Sequence, residues 1–451
     1  MQRKAAHPSH IWPRTANATA TQKGNWRRVV SACSLLTLPV LFACTAPVSM
    51  PQPPPAIDTE KLFRSWADDV IVPELRNFVD DAALLEETTA NYAAYLKNDE
   101  VPGFSASATN TPSAQDAETS EDSVTPGAML LADAQAAWKS AMLRWERLEV
   151  MQVGPAGMPG IMMGAQGLRD EIYSWPSVNP CGVDQQIFAN TFDAPDYFRT
   201  KLVTFYGLDA LEYVLFTESL ENACSSAATL NREGQWEQLS ETQRRQRRAS
   251  YANAVARQLR NDAQSLLSAW ESDEGGFRDG FVFPGTEGSV YGNASEVINQ
   301  VFAALFYVEL KVKDRKLAVP TGLHVDCTQQ ICPEFLESHH ANISKEMIAA
   351  NLEGFSAIFF GSPEIENAFG FDDYLVAVGA EELADSIRMK LADAQARLSE
   401  IPVSLREQLR DDPQAIIVVH ENIKALTDDV KSQMVAALNL DVPQEGAGDN
   451  D

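Results

Sequence analysis

Phe205-Tyr206-Gly207-Leu208-Asp209-Ala210-Leu211-Glu212-Tyr213-Val214-Leu215-Phe216 reads as an apolar helix with only two charges, both acidic and three residues apart. Residues at i and i+3 share one helix face. Leu208, Leu211 and Leu215 stripe another face, and aromatic residues fill much of the rest. A helix that is apolar nearly all round is buried. Buried carboxylates are costly unless something compensates them. Two on one face also repel, which raises a pKa unless positive charge sits between them. The pattern therefore predicts a polar site inside a packed helical body.

Helical spacing continues on both sides. Leu62, Trp66, Val70, Leu75, Phe78, Leu84, Tyr92 and Leu96 give a helical pattern over 58–98, interrupted at Pro73. Leu131, Ala134, Trp138, Ala141, Trp145 and Leu148 stripe a helix over about 128–150. Further helices are expected near 236–271, 294–317, 344–360, 374–398 and 414–438. Only 278–292, rich in Phe and Gly, suggests irregular or short β structure. The fold class is all-α, with two bundle-like halves at 58–230 and 235–440. Ser, Thr, Ala and Asp over 103–127 read as a mobile loop, and 441–451 as an acidic tail.

The net charge of −27 is distributed unevenly. Residues 1–44 hold six basic and no acidic residues, so the remainder is more acidic still. Such a surface repels nucleic-acid phosphates and attracts cations. Arg27-Arg28 precede an apolar run, Val29–Ala43, that is too short to span a bilayer. The run ends Leu41-Phe42-Ala43-Cys44, which resembles a bacterial lipoprotein cleavage box. Residues 1–44 are thus read as a signal, Cys44 as the lipidated first mature residue, and Pro-rich 45–57 as a tether. The predicted location is the periplasmic face of the cell envelope, at the outer membrane, with the Cys44 lipid as the membrane contact.

Four cysteines remain after Cys33 and Cys44. An even set in an exported chain points to disulfides. Cys327 and Cys332 enclose a small loop, and Cys181 and Cys224 flank the acidic helix. A metal site of His324, Cys327 and Cys332 is the competing reading.

Several blocks carry a family likeness. Gly207 and Glu212 match a Gly-x-His-x-x-Glu motif, with Asp209 at the histidine position. Trp138, Trp145 and Glu149 precede Gly154-Pro155; Trp175-Pro176 and Asp184 follow. Lys316-Leu317-Ala318-Val319-Pro320-Thr321-Gly322, Glu337-Ser338, Ser344, Asn351-Leu352-Glu353-Gly354 and Gly370-Phe371-Asp372-Asp373-Tyr374-Leu375 complete an ordered series. Together they resemble the imelysin family of imelysin-like peptidases and iron-regulated periplasmic proteins, over about residues 60–440. The resemblance implies that positions 209 and 212 form a metal site, with Glu149 lining the same interior. Aspartate in place of histidine makes the ligand set oxygen-only, which favours calcium, magnesium, manganese or ferric iron over zinc.

Each candidate has a plainer reading. Asp209 and Glu212 can instead be satisfied by helix N-termini or an arginine. Glu337 and His340 would share a helix face and add ligands, or lie on a surface loop before the helix near Ser344. Glu146 and Glu149 can be neutralised by Arg144 and Arg147 on the helix surface. Asp372 and Asp373 stand where acids cap a helix. His420-Glu421-Asn422-Ile423-Lys424 lacks the second histidine of a zincin helix. No phosphate-binding loop, nucleophile elbow or dinucleotide fingerprint occurs. The sequence thus predicts a lipid-anchored periplasmic protein that binds a metal ion or other small ligand. The alternatives are an imelysin-type metallopeptidase and an interaction module with a degenerate site.

Overall fold

The computed structural model describes residues 57–98, 125–271 and 276–443. The predicted signal, Cys44, most of the tether, most of the 103–127 loop and the end of the acidic tail lie outside these residues. The described part is helical, with no strand among the described residues. The expected β stretch at 278–292 is instead a short helix, Phe277–Val282, followed by turns. No helix among the described residues is long and apolar enough to cross a membrane.

Helix α1 (Val72–Asn98) continues a π-helical segment, Ser65–Ile71. Pro73 falls inside this continuous helical run, just past the π-helical turns, and does not begin a new helix. Helix α2 (Pro126–Glu149) starts at Thr125, whose Oγ1 accepts from Ala128 N at 3.3 Å, with Pro126 at the first helical position. Its buried stripe runs Ala134, Trp138, Ala141, Trp145 and Leu148, as the spacing predicts. Helix α3 is the acidic segment, Leu208–Phe216, and every residue from Leu208 to Leu215 is buried. The longest helix, α4 (Glu241–Glu271), packs along α1 and touches α3.

The next helix, α5 (Ala294–Tyr307), runs into a π-helical stretch, Val308–Ala318. Wide π turns are frequent at functional sites because they re-aim side chains. This one turns Glu309, Lys313 and Lys316 inward. Helix α6 (Ser344–Phe360) crosses α2 closely. A Cβ on Gly354 would stand 2.4 Å from Arg147 O, so only glycine permits that approach. The expected 374–398 helix is two, Phe371–Ala377 and α7 (Glu381–Ser399), with the break at Gly379. Helix α8 (Pro413–Asp428) packs on α7 and on the π-helical stretch. Helices of the two expected halves, 58–230 and 235–440, pack on one another: α1 on α4, and α2 on α6.

Candidate cation centre

The acidic helix is buried, and both of its carboxylates accept hydrogen bonds. Asp209 accepts from Ser174 Oγ at 2.6 Å and from Ala210 N at 3.0 Å. Glu212 Oε1 accepts from Ser338 Oγ at 3.1 Å, His340 N at 2.9 Å and Ala341 N at 2.8 Å. Hydroxyl and amide donors compensate the pair, those of Glu212 coming from a turn rather than a helix N-terminus, and no arginine or lysine among the described residues forms a salt bridge with either. Burial raises Asp209 to about 7, against these hydrogen bonds, with Glu212 adding to the rise. Burial also raises Glu212, while its amide and hydroxyl donors pull it back. Gly207 opens the helix at φ +93°, and a Cβ there would stand 2.7 Å from Ile172 O. Glycine is therefore required for α3 to seat against the segment that carries Tyr173 and Ser174.

That segment leads to a second cluster. Tyr173 Oη donates to Glu337 Oε1 at 3.2 Å, and the Trp175 ring centre lies 6.0 Å from Lys316 Nζ. Glu146, Glu149 and Glu337 each bring a carboxylate oxygen within 4.8 Å of the others, all three buried. Lys316 Nζ sits among them. It donates to Glu146 Oε2 at 2.5 Å, Asn351 Oδ1 at 2.9 Å and Glu149 Oε2 at 3.2 Å, and lies 2.8 Å from Glu337 Oε2. Asn351 Nδ2 donates to Glu146 Oε2 at 2.8 Å, and Tyr307 Oη donates to Glu149 Oε2. The ordinary helix-surface outcome for α2 does not occur. Arg144 pairs with Glu74 and Asp81, and Arg147 with Glu353, so neither neutralises Glu146 or Glu149.

An ammonium has three protons, and four oxygens surround this one. Glu146 Oε1 has no hydrogen-bond partner at all. The cluster is therefore short of positive charge and of donors. Three ionised carboxylates and one ammonium leave a net charge of −2 in a buried space. Protons cover part of the deficit. Burial, Glu149 and Glu337 push Glu146 well up, and burial raises Glu337 to about 7 against the pull of Lys316. Burial works against the Lys316 charge, but Glu146, Glu337 and Glu149 outweigh it and hold the ammonium protonated. An all-oxygen donor set with an orphaned buried carboxylate oxygen fits a hard cation.

Two neighbouring cavities, of about 520 and 210 Å³, reach Glu149, Gln152, Arg169, Tyr307 and Lys311 from outside. The smaller one also reaches Tyr173, Ser174 and Trp175. Glu337 is buried, so the expected surface loop is instead an inner wall; it is not helical either, so the expected shared helix face with His340 does not form. Burial, with His339 and Arg406 nearby, lowers His340 to about 4, and its Nδ1 meets Thr217 Oγ1 at 3.2 Å. Both disulfides form, Cys181–Cys224 and Cys327–Cys332, which removes the thiolates a His324 site needs. Asp373 Oδ2 accepts from Gly370 N at 3.0 Å, the predicted cap.

The imelysin family model (peptidase M75) matches residues 100–433. This chain belongs to the imelysin family. Its fold is similar to that of an imelysin-like protein from Psychrobacter arcticum 273-4, with a TM-score of 0.58 and 16% identity. That alignment covers 85% of this chain and 98% of the other. A putative iron-regulated protein A precursor from Parabacteroides distasonis ATCC 8503 aligns with a TM-score of 0.59 and 15% identity, over 86% of this chain and 97% of that one. No curated protein sequence matches it. Within this imelysin fold, sequence reasoning found Glu149 and Glu337 but missed Glu146 and Lys316 as their partners. Glu146 had a local signal: it shares the α2 interior with the Trp138–Trp145 stripe. Lys316 had none beyond its place in a family block.

Proposed function

We propose that this protein binds a hard metal cation at Glu146, Glu149 and Glu337, in metal handling at the bacterial cell envelope. The observation that carries the reading is the shortage of positive charge around four buried oxygens, with Glu146 Oε1 left unpartnered. A divalent cation would supply the two missing charges. Ferric iron, manganese, calcium and magnesium suit carboxylate and amide oxygens. Glu146, Glu149 and Glu337 would hold the ion, Asn351 would add an amide oxygen, and Lys316 would swing aside or remain as a neighbouring charge. Tyr307 and Tyr173 orient Glu149 and Glu337. The centre thus moves from Asp209 and Glu212, which become a neighbouring hydrogen-bonded support. A relative titled as iron-regulated and as a precursor agrees with iron as cargo and with export. The Arg27-Arg28 start, the short apolar run and Cys44 support a lipid anchor facing the periplasm.

A second reading has its own observation. Lys316 already occupies the middle of the cluster, as it would in a structural core or an interaction module with a degenerate site. A peptidase reading would need a metal with an open position and a general base, and no histidine among the described residues reaches this cluster. Calorimetric titration with Mn²⁺, Ca²⁺ and Fe³⁺ presented as citrate separates the readings. One ion per chain, lost in Glu146→Gln, supports binding. No heat in the native protein and one ion in Lys316→Met assigns Lys316 as a permanent substitute. Casein hydrolysis abolished by chelator would establish the peptidase.

A further inference from the structure

Arg248 on α4 is a buried guanidinium, 6% exposed, with no salt bridge among the described residues. Its Nη1 donates to Ser219 O at 2.5 Å, while Nε and Nη2 have no hydrogen-bond partner. One side of the group lies over the Tyr213 ring, 5.5 Å from the ring centre. The Arg248 charge acts on buried Asp184, whose Oδ2 is hydrogen-bonded by Tyr213 Oη at 2.8 Å and Ala223 N at 2.7 Å. A buried guanidinium with unmade hydrogen bonds is costly unless something pairs with it.

Arg248 lines a cavity of about 210 Å³ that lies apart from the acidic cluster. Arg245, one helical turn earlier on the same face of α4, lines it too, with Tyr92 and Thr217. Arg245 is exposed and shares its charge only with exposed Glu241, at 3.1 Å. Two guanidiniums line one part of the cavity, and Leu131, Val214, Leu215, Leu220 and Ala249 line the rest beside Tyr92 and Thr217. Glu218 is the one acid in the lining, and it is exposed at the rim.

We propose that this cavity binds a small tetrahedral oxyanion of the phosphate class, held between Arg245 and Arg248. Guanidinium forks match phosphate oxygens, and the Tyr92 hydroxyl adds a donor. Glu218 repels it and so limits affinity. Inorganic phosphate and the phosphate of an organic monoester share this chemistry.

The test is thermal-shift and calorimetric titration of the purified protein with inorganic phosphate, glycerol phosphate and acetate, at ionic strength matched with chloride. Phosphate or its monoester should bind one per chain and raise the melting temperature, and the tighter of the two names the source. Arg245→Gln, at an exposed position, should weaken binding about tenfold. Glu218→Gln should tighten it. Arg248→Lys tests the buried group directly and, if folded, should lose most of the affinity. Acetate matching phosphate would overturn the tetrahedral assignment. Absence of any shift beyond chloride, or a shift that neither Arg245→Gln nor Glu218→Gln alters, would leave Arg248 as a structural partner of Tyr213.

Discussion

Lys316 decides how the acidic residues of this protein behave. Its ammonium is the only cation in contact with Glu146, Glu149 and Glu337 among the described residues. Removing one partner of a buried charge cluster leaves the others uncompensated, at roughly 3–5 kcal/mol. Lys316→Met is therefore expected to lower stability by about that amount near pH 8, measured by urea unfolding. The loss should shrink near pH 5, where Glu146 and Glu337 retain protons. An equal loss at both pH values would mean that charge compensation is not the role of Lys316. Glu212 acts differently, since three neutral donors converge on its Oε1. Glu212→Ala orphans those donors and is expected to cost about 3 kcal/mol, with cation affinity unchanged. Loss of affinity in a folded Glu212→Ala protein would return the metal site to the motif helix.

At the scale of elements, most of the helices were legible from spacing. The Trp138–Trp145 stripe and the Leu208–Leu215 run gave α2 and α3 with the correct buried faces. The site was only half legible. Glu149 and Glu337 could be named, but the sequence offered Arg144 and Arg147 as nearer partners for α2, and both turned to Glu74, Asp81 and Glu353 on other helices. The π-helical stretch Val308–Ala318 gave no periodic signal of its own, yet it carries Lys316 into the centre. Partner choice for a buried charge depends on which elements meet, and local spacing does not contain that. The α2–α6 crossing makes the point testable. Gly354→Ala places a methyl against Arg147 O and should push α6 away, moving Asn351 off Glu146. The expected result is a fall in melting temperature together with weaker cation binding. Unchanged values for both would show that the crossing has slack.

For the whole molecule, the buried acids make stability fall as pH rises. Asp209 and Glu337 are held at about 7, well above the value near 4 of an unfolded carboxyl. The folded state then binds more protons between about pH 4 and 7, so their contribution is full below pH 4 and lost by about pH 7–8. His340, lowered to about 4, works the other way between pH 4 and 6.5, but it opposes a larger set of raised carboxyls that includes Asp262 at about 7. The melting temperature should accordingly be higher at pH 5.5 than at pH 8, and saturating divalent cation should narrow the gap. A melting temperature that rises steadily to pH 8 would contradict the protonation assigned to the core.

The most direct test is calorimetric titration of the native protein with Mn²⁺ at pH 7.5, in two buffers of different ionisation enthalpy, beside Glu146→Gln. The cation-centre account predicts one ion per chain, protons released on binding, and no binding in the variant. A native protein that takes up no ion, or a Glu146→Gln protein that binds as well as the native one, would contradict it.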